Sequence, residues 1–153
     1  MTPLRGRLLG IDHGLARIGV AVSDRVGLTA RELLVIYRKS KREDFDKLAQ
    51  VIDEQQVIGI VVGLPSEYDD PEGVYTQASK VRNWVEYLHQ ALPLPVVLWD
   101  EQLTSVDAQE WARRLKRPFR APIDDLAARI MLQSYLDAVR DGLMTFLPEF
   151  LSE

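Results

Sequence analysis

Several carboxylates fall where a purely surface role explains them least. Asp12 follows the apolar run Leu8 to Ile11, Asp100 and Glu101 follow Pro95 to Trp99, and Asp124 and Asp125 open a segment with an apolar helical face. Three segments distant in sequence thus each bring an acid to the end of a buried element, and open sheets gather their active sites at strand ends and neighbouring helix termini. Carboxylate oxygens suit hard cations such as Mg²⁺ or Mn²⁺. Two such ions about 3.5 to 4 Å apart would activate a water and stabilise the leaving oxygen in a phosphoryl displacement. Strand alternation sends Asp100 and Glu101 to opposite faces. Asp124 and Asp125 differ by about a hundred degrees around a helix. Each pair therefore offers one ligand, and spacing leaves open which. Plainer readings stand beside these: Asp124 as a helix N-cap, Asp12 as a turn residue before Gly14, Glu101 as a solvated acid at a loop start.

The elements that must position these acids follow from the hydrophobic pattern. Leu8 to Ile11 reads as a strand entering a turn at Asp12, Arg17 to Ser23 as a second strand, and Glu32 to Arg38 as a third, an antiparallel meander. The period then changes. Phe45, Leu48, Ala49 and Ile52 mark an amphipathic helix. Val57 to Val62 is a continuous apolar run, as expected of a strand buried on both faces. Val74, Ala78, Val81, Val85, Leu88 and Leu92 step by threes and fours along a long helix, and Pro95 to Trp99 reads as another buried strand. Thr104 resembles an N-cap with Asp107 as its capping-box carboxylate, opening a third helix. A last helix runs from about Ile123 to Arg140, with Leu126, Ala127, Ile130, Met131 and Ser134 along one side. This order, β-β-β-α-β-α-β-α-α, implies an α/β protein with one mixed five-stranded sheet flanked by helices.

Composition removes several alternatives. A length of 153 residues suits one domain spanning residues 1–153. The chain has no cysteine, which excludes disulfides and thiolate chemistry and is compatible with a reducing cytoplasm. His13 and His89 are its two histidines, too few for a histidine-rich metal site, and alternation turns His13 away from Asp12. No apolar run approaches the ~18 residues of a membrane span, and no apolar region follows Arg5 and Arg7 as in a signal peptide. The net charge of -4 argues against coating nucleic acid through bulk charge. Local charge is another matter. Arg113, Arg114, Lys116, Arg117 and Arg120 lie in an acid-free stretch just before Asp124 and could hold a phosphate backbone beside the metals. Part of that charge is what a helix C-terminus attracts anyway. Arg17, Arg42 and Lys80 are further cationic candidates, and Phe119 could stack on a base.

Four blocks together resemble the YqgF/RuvX family. Asp12-His13-Gly14-Leu15-Ala16-Arg17-Ile18-Gly19-Val20-Ala21-Val22-Ser23-Asp24 resembles its D-x-G-x-x-R-I-G-V-A-x-S-D opening, and Val61-Val62-Gly63-Leu64-Pro65 its V-V-G-L-P strand. Asp100 to Ser105 is similar to its D-E-R-L-T-T segment, and Ile123 to Ala128 to its V-D-x-x-A-A helix start. The resemblance implies a ribonuclease-H-like fold and a metal-dependent nuclease, with Asp12, Glu101 and Asp124 as catalytic metal ligands for two Mg²⁺ or Mn²⁺ ions. It also implies a nucleic-acid partner: either a structured RNA, the 5′ end of precursor 16S ribosomal RNA, or a branched DNA, the Holliday junction. RNA processing is the preferred reading. Junction cutting would call for two sites and hence a homodimer. Two departures are plain: Gln102 stands where the family commonly has Arg, and the loop from Ser66 to Gly73 is acidic. A non-catalytic factor bound to RNA, ribosome or transcription machinery is the rival of another class. An actin-like ATPase shares only the D-x-G opening.

Overall fold

The computed structural model describes residues 6–65, 77–100, 105–118 and 121–142. In chain order the elements are β1 (Arg7–His13), β2 (Arg17–Ser23), β3 (Ala30–Tyr37), α1 (Lys41–Gln55), β4 (Val57–Leu64), α2 (Gln77–Ala91), β5 (Val96–Asp100), α3 (Ser105–Arg114) and α4 (Asp124–Arg140). The strands form one sheet in the order β3-β2-β1-β4-β5. Short turns make β1–β2 and β2–β3 antiparallel, whereas β1–β4 and β4–β5 are parallel. A parallel neighbour needs a crossover to bring the chain back to the starting end. The carboxyl ends of β1, β4 and β5 therefore share one edge.

Both faces of the sheet are covered. Leu9, Ile11, Ile18, Val20, Ile60 and Val62 pack with Leu48 and Val51 of α1 and Val81, Trp84 and Leu88 of α2. On the other face Leu8, Ala21, Val61 and Val97 pack with Ala128, Met131, Leu132, Tyr135, Leu136 and Val139 of α4. Two-sided burial explains why β4 reads as an unbroken apolar run. α3 lies against α4.

Three expectations shift. β1 continues through Asp12, which pairs with Gly19 of β2, so Asp12 sits inside a strand and is not a turn residue. On α1 Ala49 is exposed and the buried positions are Asp44, Leu48 and Val51. On α4 Ser134 is exposed and Ala127 and Ile130 are only half-buried, because the sheet-facing stripe runs through Ala128, Met131, Leu132, Tyr135 and Val139. In both helices the sequence offered two apolar stripes, and the packing partner chose between them. Thr104 and the loop 66–73 lie outside the described residues.

Candidate active site

Strand alternation assigns Asp12 its face. Leu9 and Ile11 point to α1 and α2, Leu8 points to α4, and a Cβ on Gly10 would press on Leu132 of α4 at 2.8 Å. Asp12 therefore lies on the α4 side, half-buried. Its partner across the ladder, Gly19, has no side chain for a specific reason: a Cβ there would coincide with the backbone carbonyl of Asp124. The absent side chain lets the first residue of α4 rest against β2 beside Asp12. The backbone at the start of α4 thus meets the sheet at the residue paired with Asp12, although the two are more than a hundred residues apart in sequence.

Asp124 is the first helical residue, and the cap position is Ile123, with no side-chain capping bond. The carboxylate is instead turned to Arg17, whose Nε donates to Oδ2 at 3.0 Å. Arg17 remains about half exposed at 47%, against 21% for Asp124. Asp125 takes the other direction. It is buried and receives both Nη1 and Nη2 of Arg117, at 2.7 and 2.9 Å. Arg117 Nη1 also donates to the Pro122 carbonyl. The bonded Asp125 carboxylate pushes the Arg117 guanidinium above its ordinary pKa. This fork ties the end of the α3 segment to the start of α4. Of the two adjacent acids, Asp125 is the brace, and Asp124 is the one turned to Arg17.

The basic strip divides in the same way. Arg113 and Arg114 end α3, exposed; Arg113 meets Glu110 at 2.7 Å, and Arg114 lies 5.6 Å from the centre of the Trp111 ring. Lys116 is exposed and turns the chain in a left-handed conformation at φ 56°. Arg117 is occupied by Asp125. Arg42 and Lys80 are exposed on α1 and α2. Glu101, Gln102, Phe119 and Arg120 lie outside the described residues.

Apolar periodicity did not reveal the polar cluster behind Asp12. His13, on the α1 face, packs on the Trp84 ring at 4.8 Å, and its Nε2 lies 3.0 Å from Arg38 Nη1. Arg38 Nη1 also donates to the Gly14 carbonyl, and its Nε donates to Asp44, whose side chain is fully buried. Trp84 Nε1 donates to the same Asp44 oxygen. Burial first, then the Arg38 charge, lowers the His13 pKa to about 4. Arg38 thus ties the turn after Asp12 to α1. The one available signal was Asp44, an acid at a core position of the helical wheel.

The two described acids suit a hard divalent cation, being oxygen donors at the mouth of a sheet, with the Asp124 charge met by a half-exposed arginine. Among the described residues no group of three or more His, Asp or Glu side chains could hold a metal.

A β3-β2-β1-β4-β5 mixed sheet with helices on both faces is the ribonuclease-H-like fold. Solved structures agree on the fold. Thermus thermophilus RuvC in complex with Holliday junction substrate superposes with a TM-score of 0.59 at 19% identity, over 93% of this chain and 99% of that one. Fowlpox virus resolvase with junction DNA gives 0.53 at 10% identity, over 87% and 98%. The profile described as RuvX, Holliday junction resolvase, matches residues 6–138, and the chain belongs to that family, also called YqgF. A protein of Syntrophus aciditrophicus (strain SB), provisionally named a pre-16S rRNA nuclease, is 43% identical over 136 residues, 87% of this chain and 89% of its own. One from Thermoanaerobacter pseudethanolicus with the same provisional name is 41% identical over 139 residues, 88% and 99%. Among the described residues no helix is long and apolar enough to cross a membrane.

Proposed function

We propose that the chain acts as one domain, a nuclease that hydrolyses phosphodiester bonds with Mg²⁺ or Mn²⁺ held by Asp12, Glu101 and Asp124. In this reading it processes the 5′ end of precursor 16S ribosomal RNA in the cytoplasm. The observation that carries the proposal is Gly19, whose missing side chain seats Asp124 beside Asp12. Glu101 enters because it follows directly on β5, whose Val97 and Trp99 pack on the α4 side. When bound, two divalent ions supply an activated water and stabilise charge on the leaving oxygen. The chain's own residues do the rest. Asp12 is fixed by the ladder, and Asp124 by the approach of α4 to β2. Arg17 holds Asp124 in place and presents a half-exposed cation to a phosphate oxygen. Arg113, Arg114 and Lys116 attract the backbone, with Arg120 included on its position in the strip. The pre-16S substrate is supported by the names of relatives above 40% identity.

A second reading, cutting of Holliday junctions by a homodimer, is favoured by the family description and by the RuvC-like fold. The test incubates purified protein and Mn²⁺ or Mg²⁺ with an RNA spanning a precursor 16S 5′ end and with a four-way DNA junction. Wild type should cut the RNA, and Asp12→Asn or Asp124→Asn should reduce cutting by more than about a hundredfold, as expected when metal ligation is broken. Cutting of the junction alone would move the assignment to the second reading. Binding without cutting of either would make the chain a non-catalytic RNA-associated factor.

A further inference from the structure

A pocket of about 300 Å³ lies between α3 and α4, lined by Trp111, Arg129, Ile130, Gln133, Ser134 and Asp137. It sits on the side of α4 turned away from the sheet, and its near end is about 8 Å along the helix axis from Asp124. The Arg129 guanidinium lies over the Trp111 ring at 4.2 Å and is anchored by Glu32 at 2.8 Å. Arg114 stands 5.6 Å from the same ring. The indole is half-buried, so the stack is held in place yet reaches the pocket. We propose that this pocket is a subsite for one unpaired nucleobase next to the cleaved phosphate, seated against Trp111 and Arg129.

The chemistry of the walls fits that occupant. Aromatic rings and guanidinium planes are the surfaces on which unstacked bases settle. A volume at the bottom of the usual ligand range, roughly 300 to 1,000 Å³, suits a single ring system. Ser134 Oγ accepts from Trp99 Nε1 at 3.3 Å, which leaves its own proton to donate to a base edge. Asp137 Oδ1 is met by Gln133 and Arg140, so it brings little uncompensated negative charge to repel the flanking phosphates. Arg113, Arg114 and Lys116, exposed at the end of α3, supply positive charge for those phosphates. A fully paired duplex keeps its bases stacked and has none to offer. The subsite therefore selects strands with an unpaired residue beside the cut.

This inference rests on the nucleic-acid reading of the previous subsection, and its test is a binding measurement with EDTA in place of metal. The probes are a labelled oligouridylate of ~12 nucleotides, within the usual span of single-strand sites, and a fully paired duplex RNA of equal length. Trp111→Ala should weaken the single strand roughly 5- to 150-fold, the range of one lost base stack. Duplex affinity should be unchanged, and Trp111→Phe should retain most of the single-strand affinity. The oligouridylate should also quench wild-type tryptophan emission, and Trp111→Phe should remove most of that quench, any remainder coming from Trp99, whose Nε1 bonds Ser134. Unchanged single-strand affinity in Trp111→Ala, an equal loss for the duplex, or binding with no quench would each overturn the subsite. If Trp111 proves indifferent while metal-dependent cutting persists, the subsite alone falls. If Trp111 governs binding and neither substrate is cut, the nuclease reading falls and the pocket stands as a base-binding site alone.

Discussion

His13 and Asp12 are adjacent in sequence and opposite in environment. Arg38 can only donate, so His13 Nε2 must accept, and the ring is held neutral. Its folded pKa of about 4 lies below the ordinary 6.5. Between those values the unfolded chain binds the extra proton, so the stabilisation is complete above pH 6.5 and declines as pH falls toward 4. The slope reaches about 1.4 kcal/mol per pH unit. Urea unfolding at pH 7 and pH 5 should show a larger acid loss for wild type than for His13→Gln, and equal losses would contradict the assignment. Asp44 poses the complementary case. Asp44→Asn keeps the shape but leaves the Arg38 charge uncompensated with only 16% of its side chain exposed, which should cost about 3 kcal/mol by the same measurement.

At the scale of elements, the site depends on how closely α4 approaches the sheet. Gly19→Ala places a methyl on the Asp124 carbonyl, so α4 must lift from β2. Overpacking of this kind costs about 1 to 3 kcal/mol. The displacement of Asp124 from Asp12 should lower cleavage by at least about tenfold, since small misplacements are expensive in catalysis, in protein whose circular dichroism remains native. Native activity in Gly19→Ala would mean that this close approach is not what assembles the site. The element order was legible in the sequence because hydrophobic period distinguishes helix from strand. The buried faces of α1 and α4 were less so: Ala49 and Ser134 are as acceptable to a helical wheel as Val51 and Tyr135, and only the facing layer separates them.

Over the whole molecule, a net charge of -4 coexists with a cationic end on α3. Nucleic-acid affinity should then come from few contacts and depend on them individually. Replacing Arg113, Arg114 or Lys116 by Gln should each reduce the salt slope of RNA binding by about one. The Arg113–Glu110 pair does not prevent this, because exposed pairs contribute at most about 1 kcal/mol. Arg117→Gln should behave differently. It should lower stability by breaking the fork on Asp125 and leave the salt slope nearly unchanged. A salt slope lowered by Arg117→Gln as much as by Arg114→Gln would return Arg117 to the phosphate-contacting set.

Sequence by itself determined the alternation of strands and helices, the family, and the acids worth watching, because these depend on local period and on motif residues fixed by backbone geometry. Spacing alone left Asp124 and Asp125 equivalent as neighbours at a helix start, and only the family resemblance favoured Asp124. Tertiary structure separated their environments: the start of α4 rests on Gly19, with Asp125 buried against Arg117 and Asp124 turned toward Arg17. The basic strip was likewise one run of like charges until folding brought Asp125 to Arg117. Which charges remain for a partner is decided by contacts between distant segments, and no local pattern encodes those.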